Sequence, residues 1–542
     1  MSKVAAYLRG HISGEVTSRD DVREALSTDT GVLKIKPELV VYPRSTNDIR
    51  KVARFTWQLA EKGHVMPLTV RGAGSDGNGA AIGHGVLLVT PAHMNHIFEY
   101  DPKQRLARLQ PGVTIGELNA ALSLYGTRVM SLTGSLSYGT VGGAIASAVT
   151  GPYAGKYGTI ERAIDQLEVV LANGDVIQTG RLNKKELNRK KGLQGFEGDI
   201  YRGIDGVIEE YSEVLDRLNA NDATGYNTIA DVKQRDGSFD LTPLFIGSQG
   251  TLGIISEMIM KATPLSPHLA AAALVFADGN EARDALDEMV RLQPTLLEYF
   301  DAALFDNAAE LGHIYPFYAA ATESIKPSSV VFISFDDASA HIRAKNLKRL
   351  RKLYANRDSI VVTTEDGDPA NELLTALDVT YYTRLPDRVG IVAPRLYEGF
   401  HVPTARLEEF VKALATLATH LHVPLPMAGH VITNTYSIYP ALPIENVADK
   451  QKVIKLLDEL TKHVYAHDGT MIAEGGEGRL KGRSIYPELD EQVRAMYDAI
   501  RKVCDPFGTL NPGVKQTVEV TALAQMLRHD HLAGQFARYN LD

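Results

Sequence analysis

Arg71-Gly72-Ala73-Gly74-Ser75-Asp76-Gly77-Asn78-Gly79 follows a short apolar run, Met66-Pro67-Leu68-Thr69-Val70, that reads as a strand. Four glycines in nine residues let a backbone turn sharply and bring its N–H groups close to a bulky anion. Such a loop alone often only turns a corner. Here it is the first of five linked segments in a fixed order. Gln110-Pro111-Gly112-Val113-Thr114 ends a strand with a turn and starts a helix. Thr133-Gly134-Ser135 precedes Gly139-Thr140-Val141-Gly142-Gly143-Ala144-Ile145-Ala146 and then Lys156-Tyr157-Gly158-Thr159. Gly247-Ser248-Gln249-Gly250-Thr251-Leu252-Gly253-Ile254-Ile255 and Asp505-Pro506-Phe507-Gly508-Thr509-Leu510-Asn511-Pro512-Gly513 complete the series. No Gly-x-Gly-x-x-Gly with an acid some 20 positions on follows the first strand, so the pattern is not a Rossmann fingerprint.

A chain of 542 residues is long for one core and implies about two or three domains. Residues 1–36 read as a polar, partly helical lead-in, and 37–264 as a domain of short strands and helices. Ser45-Thr46-Asn47 offers an N-cap for a helix to about Gly63, with Ile49, Val52, Ala53 and Ala60 on one face. Thr114 and Glu117 form a capping-box signature. Leu167–Leu171 and Asp175–Gln178 flank Ala172-Asn173-Gly174 as a hairpin with a tight turn. From residue 265 to 428, apolar strands such as 271–276 and 330–335 alternate with helices such as 281–292, an open antiparallel α+β pattern. The stretch 429–515 becomes glycine-rich again, and 516–542 reads as a helical tail.

The formal charge of −9 argues against a nucleic-acid partner. One cysteine, Cys504, excludes an internal disulfide framework and a multi-cysteine metal or iron–sulfur site, and fits a reducing, cytoplasmic setting. No run of about 18 apolar residues calls for a transmembrane helix. The basic cluster Lys184, Lys185, Arg189, Lys190 and Lys191 leaves peripheral membrane contact open, beside the plainer reading of a solvated insertion.

The five segments together resemble the vanillyl-alcohol-oxidase (PCMH) type of FAD proteins. Within it, the chain is similar to the FAD-linked oxidase branch that holds glycolate oxidase and the D-lactate and D-2-hydroxyglutarate dehydrogenases. The resemblance implies a two-subdomain FAD-binding domain plus an antiparallel α+β substrate or cap domain, with 429–515 returning to the flavin site. It also implies an oxidoreductase with FAD as cofactor. The pyrophosphate falls to Arg71, Gly72, Ala73, Gly74, Ser75, Asp76, Asn78 and Gly79, and to Thr140, Gly142, Gly143 and Ala146. Pro111, Gly112, Thr133, Gly134 and Ser135 add to the cradle, as do Tyr157, Gly158, Thr159 and Asn511. Ile254 and Ile255 give backbone contacts toward the adenine half. Asp76 is an acid beside phosphates, so its side chain should point away. Relatives that attach FAD through histidine place it where Ser75 stands, so attachment here is non-covalent.

A flavin that oxidises a 2-hydroxy acid needs a cation for the carboxylate, a base for the hydroxyl proton and a hydride facing flavin N5. The resemblance places Arg384 as the carboxylate cation. The relatives carry Gly-His-x-x-Asp-Gly-Asn-x-His and then Glu-His-Gly-Ile-Gly. Their two histidines and glutamate can bind a divalent metal, and the later histidine is their proposed base. This chain reads Gly429-His430-Val431-Ile432-Thr433-Asn434-Thr435-Tyr436-Ser437 and Glu474-Gly475-Gly476-Glu477-Gly478. His430 and Glu474 remain, Ser437 replaces the second histidine, and Gly475 replaces the base. One imidazole and one carboxylate make a poor zinc site, so no metal is expected. His430, Glu474, Glu477, Tyr436 and Tyr439 are the possible bases. His430 leads because its titration range suits proton abstraction near neutrality.

The expected reaction is hydride transfer from a secondary alcohol, a D-2-hydroxy acid first, with electrons leaving to a quinone, a cytochrome or another non-NAD acceptor. Two other readings stay open: a sugar or polyol oxidase of the same fold, and a flavoprotein that relays electrons or binds a partner.

Overall fold

The computed structural model describes residues 3–132, 137–219, 221–266, 268–354, 356–382, 391–392, 396–443 and 446–528. The chain forms two compact units. The first joins Met1–Thr150, Thr159–Thr263 and Ile472–Leu527, and the second joins Gly151–Gly158, Pro264–Met471 and Arg528–Asp542.

The first unit is built on two sheets. Strands β1 (Glu15–Thr17), β2 (Leu39–Tyr42), β3 (Leu68–Arg71) and β4 (Val86–Val89) lie in the order β1-β2-β4-β3. The three strands β2, β4 and β3 run parallel, and β1 is antiparallel at the edge. Strands β5 (Ile97–Asp101), β6 (Leu106–Leu109), β7 (Ile164–Val170), β8 (Val176–Gln178) and β9 (Ile254–Lys261) form an antiparallel sheet ordered β5-β6-β9-β7-β8. Gly174 takes a φ of +85° between β7 and β8, as a tight Asn-Gly turn requires.

Helix α1 (Thr46–Glu61) links the two sheets. Its buried face carries Ile49, Val52, Ala53 and Ala60, the helical spacing read from the sequence. The first three of these pack in one cluster with Leu39, Val41, Val86 and Leu88 of the parallel sheet and Val170 and Ile254 of the antiparallel one. Helix α2 (Ile115–Ser123) opens on a full capping box: Glu117 N–H donates to Thr114 Oγ1 at 3.1 Å and Thr114 N–H to Glu117 Oε2 at 3.0 Å. Helix α3 (Val141–Ala146) is capped by Thr140, whose Oγ1 accepts Gly143 N–H at 3.2 Å.

The second unit is a seven-stranded antiparallel sheet with helices. Its strands are β10 (Ala270–Phe276), β11 (Leu296–Asp301), β12 (Ser329–Phe335), β13 (Ile360–Asp366), β14 (Phe400–His401), β15 (Met427–His430) and β16 (Thr435–Ile438), in the order β13-β10-β12-β11-β15-β16-β14. Every residue of β10 and β12 is buried, so the middle of the sheet is covered on both faces. Helix α4 (Ala340–Tyr354) packs along the β10–β13 side through Arg343, Leu347, Leu350 and Tyr354. The whole chain is thus α+β.

Candidate flavin and substrate site

β3 ends at Arg71, and the glycine loop folds around that side chain. Arg71 is buried, and its Nη1 donates to the carbonyl of Thr28 at 2.8 Å. A Cβ on Gly74, where φ is +71°, would stand 2.3 Å from Arg71 Nη2. The Arg71 guanidinium is therefore held inside the loop as its pillar, and burial lowers its pKa.

The loop is clamped from outside by a segment in the lead-in, which carries no candidate site residue in the sequence. Asp29 Oδ1 accepts Gly31 N–H at 2.8 Å, and its Oδ2 accepts Gly79 N–H at 2.9 Å. Thr30 Oγ1 donates to the Ser75 carbonyl at 2.9 Å. Gly31 lies so close to Gly77 that a Cβ would meet Gly77 O at 1.9 Å. Burial, with Asp76 nearby, pushes the Asp29 carboxyl up to about 7, against the pull of these N–H donors and Arg71. The only local sign was the Asp29-Thr30-Gly31 turn chemistry. Asp76 turns back into its own loop, where Oδ1 accepts Asn78 N–H at 3.3 Å.

The other segments close on this loop in the same unit. A Cβ on Gly72 would lie 2.1 Å from Thr140 Oγ1, and one on Gly142 would lie 2.5 Å from Pro111 Cβ. These glycines serve close backbone approach. Asn78 Nδ2 donates to the carbonyls of Gly475 at 2.8 Å and Gly476 at 3.0 Å. Gln249 Oε1 accepts Gly478 N–H at 2.9 Å, while Gln249 N–H donates to Ala146 O at 2.8 Å. Asn511 Nδ2 donates to Ala80 O at 2.9 Å and to Gln249 O at 2.8 Å. Its Oδ1 accepts from Thr69 Oγ1 at 3.0 Å and Arg479 Nη2 at 3.1 Å. Glu474 Oε2 accepts Thr150 N–H at 2.7 Å, and Gly475 N–H donates to Ser147 O at 2.8 Å. Stretches far apart in sequence thus meet in one network, with Asn78 and Gly475 separated by 397 positions.

This cradle fits a diphosphate. No hydrogen bond among the described residues uses the N–H groups of Ala73, Gly74 or Gly77, so the loop keeps donors for an anion. Ser131 Oγ is buried without a partner among the described residues, just before the Thr133-Gly134-Ser135 segment. Gly250 and Gly475 have positive φ, and no described atom lies within 4 Å of a Cβ built on either. Ile254 and Ile255 sit buried at the start of β9, paired with Val170 and Val169. Thr133, Gly134 and Ser135 lie outside the described residues, as does Arg384.

Tyr157 and Gly158 belong to the second unit and Thr159 to the first. Tyr157 donates its hydroxyl to Asp336, which also accepts from Lys156 and Thr295. Within the second unit, antiparallel register sets Glu298 of β11 directly across from His430 of β15. Glu298 is buried, and its Oε2 lies 2.7 Å from His430 Nδ1. Ser437 Oγ, where relatives have a histidine, accepts Gly399 N–H at 3.1 Å. Tyr436 is buried under Gly429, with its hydroxyl lacking a partner among the described residues. Burial and Glu298 raise its pKa, which removes it from base chemistry near neutrality.

Glu477 lies in the first unit and is fully buried against Lys515, with Oε2 to Nζ at 2.5 Å, and it also accepts Gly225 N–H. It holds structure. Glu474 is at least half committed to Thr150. Among the candidate bases, His430 is set by strand register directly across from a buried carboxylate, Glu298. Among the described residues no three His, Cys, Asp or Glu side chains gather into a metal-binding set.

A strand-ended glycine loop with unspent amides, locked by a C-terminal glycine segment, defines a protein that holds a diphosphate-bearing cofactor. Family models agree on which one: residues 37–180 match an FAD binding domain, and residues 265–514 match the C-terminal domain of FAD linked oxidases. The chain belongs to the FAD-linked oxidase family of PCMH-type flavoproteins, and its cofactor is FAD.

The D-2-hydroxyglutarate dehydrogenase of Pantoea ananatis is 24% identical over 526 residues, covering 93% of this chain and 50% of that protein. The chain therefore spans about half the length of such relatives. The glycolate oxidase subunit GlcD of Bacillus subtilis is 24% identical over 483 residues, covering 88% of each chain. Among solved structures, 4-ethylphenol oxidase from Gulosibacter chungangensis superposes with a TM-score of 0.66 at 18% identity, covering 94% of this chain and 95% of that one. Alkyldihydroxyacetonephosphate synthase gives 0.64 at 16% identity, covering 94% and 86%. These two share the fold.

Proposed function

We propose that this chain is a flavin-dependent dehydrogenase that oxidises a D-2-hydroxy acid, D-lactate- or glycolate-like, and delivers electrons to a quinone, a cytochrome or another acceptor that is not NAD. Relatives named for 2-hydroxyglutarate and glycolate oxidation support the substrate class. The observation that carries the chemistry is the cross-strand His430–Glu298 pair. With Nδ1–H donated to a buried carboxylate, the neutral imidazole carries its lone pair on Nε2, the tautomer needed to take a hydroxyl proton.

Bound FAD supplies the hydride acceptor. The chain's own residues bind and orient. The N–H groups of 73–77 hold the diphosphate, Asn78 and Gln249 fix the backbone of Gly475 and Gly476, and Glu474 anchors Thr150. Arg384 is assigned to the substrate carboxylate from its place in the sequence. Ser75 has no chemistry for a flavin bond, so FAD is held non-covalently and dissociates on denaturation.

Ser437 and Gly475 favour a second reading, an alcohol or polyol oxidase of the same fold or an electron relay, because two of the four diagnostic positions differ from those of hydroxy-acid relatives. Anaerobic mixing of the holoprotein with D-lactate, glycolate, D-2-hydroxyglutarate and alditols decides between them. Bleaching of the flavin band by an acid supports the first reading. Bleaching by alditols alone selects the polyol oxidase, and a flavin inert to every donor selects the relay.

A further inference from the structure

The fold pairs two of the five cations of the basic cluster 184–191, the sequence's candidate for membrane contact, and leaves Lys184, Lys185 and Arg189 exposed without an ion pair among the described residues. Asn183 and Glu186 cap its helix, Lys190 pairs with Glu197 at 2.5 Å, and Lys191 pairs with buried Asp205. A second basic surface is less neutralised still. Helix α4 reads Ala-His-Ile-Arg-Ala-Lys-Asn-Leu-Lys-Arg-Leu-Arg-Lys-Leu-Tyr and contains no acidic residue, in a chain whose formal charge is −9. Its buried face is Arg343, Leu347, Leu350 and Tyr354. At 100° per residue, Lys345, Lys348, Arg349 and Lys352 fall on the opposite crest. All four are exposed, and among the described residues none makes an ion pair.

Three carboxylates near the helix are engaged elsewhere: Asp366 holds Arg343, Glu281 holds Arg357, and Glu288 accepts the Tyr354 hydroxyl. The four cations are spaced i, i+3, i+4 and i+7, so each repels its neighbours and weakens the helix. The helix C-terminus offsets this for Lys352 but not for Lys345 or Lys348. Exposed Ile342 and Leu353, at 42% and 37% exposure, flank the crest on one shoulder.

We propose that this crest is a docking surface for an anionic lipid bilayer. Lysine supplies three of its four charges, and no Phe, Tyr or Trp lies on it. Protein interfaces are depleted in lysine and rich in aromatics, whereas clustered lysine and arginine suit a diffuse headgroup surface. Ile342 and Leu353 add apolar tips that can enter the headgroup boundary. The inference stands apart from the substrate reading, since it involves neither His430 nor the flavin cradle.

The test is co-sedimentation of the holoprotein with phosphatidylcholine vesicles, with and without phosphatidylglycerol. Binding is expected only with phosphatidylglycerol, and is expected to weaken as salt shortens the screening length. At roughly fivefold per charge, K345Q/K348Q/R349Q/K352Q is expected to lower partitioning by more than about a hundredfold. The comparison variant K184Q/K185Q/R189Q, whose cations share a short helix with Glu186, is expected to lose far less binding than the crest variant, and an equal loss also overturns the proposal. Removing like-charge repulsion should leave the melting temperature level or higher. If the quadruple variant does not fold, K345Q/R349Q is read instead, with a loss of about twenty-five-fold on the same scale. Absence of binding to phosphatidylglycerol vesicles at low salt overturns the proposal, as does equal binding by the crest variant. Capture on immobilised polyglutamate without vesicle binding assigns the crest to an acidic protein and also overturns it.

Discussion

Two glycines of the flavin cradle separate steric from conformational demand. Gly72 has no room: its Cβ would collide with Thr140 Oγ1. Gly72→Ala is expected to destabilise by about 1–3 kcal/mol, the usual penalty for overpacking, and to yield protein with little bound flavin, read from the visible absorbance of the purified protein. Gly475 has space but a φ of +81°, so Gly475→Ala carries only left-handed strain of roughly 1–2 kcal/mol and should keep its flavin. In the second unit, His430→Ala should retain flavin while anaerobic reduction by substrate slows about 10²–10⁴-fold, the range for losing a general base. Unchanged reduction would remove His430 from the chemistry.

At the level of elements, the buried Glu477–Lys515 pair ties the C-terminal glycine segment to the chain after Asn511. Glu477→Gln leaves Lys515 without its counter-charge and is expected to cost about 3–5 kcal/mol in urea unfolding. The double change E477M/K515M should cost far less, and equal losses would show that the pair is not coupled. Local elements were legible because their causes are local. The α1 face follows apolar spacing, the Thr114–Glu117 box follows cap chemistry, and the β7–β8 turn follows Asn173-Gly174. Across the site the sequence showed which segments matter but not how they join. Nothing near Asp29 announces Gly79, fifty positions on, and nothing near Asn78 announces Gly475. Both basic helices are rich in lysine and arginine in sequence. Only the fold brings Glu197 to Lys190 and Asp205 to Lys191 in one and leaves the crest of the other without an ion pair among the described residues. The Arg71–Thr28 contact was equally hidden, because it depends on a lead-in whose path the sequence does not reveal.

At the scale of the whole molecule, stability should carry the mark of Asp29. Its folded pKa, about 7, lies above the ordinary carboxylate value near 4. Below pH 4 both states hold the proton. Between about 4 and 7 only the folded state does, so rising pH draws stability away, and the loss is complete above about 7. Asp222, pushed up to about 6 by burial, acts in the same direction. Melting curves of parent and Asp29→Asn are therefore expected to diverge in slope across that window, with the variant flatter, by an amount on the order of a few kcal/mol. Parallel curves would show that Asp29 ionises normally.

The division of the first unit among three stretches of chain has a consequence for biogenesis. Asn511 and the 474–479 turn are the last pieces of the cradle to leave a ribosome, long after the glycine loop they lock. Nascent chains stalled short of residue 472 should stay colourless in the presence of FAD, and capture of the vitamin-derived ligand should wait until the stretch through Asn511 has emerged.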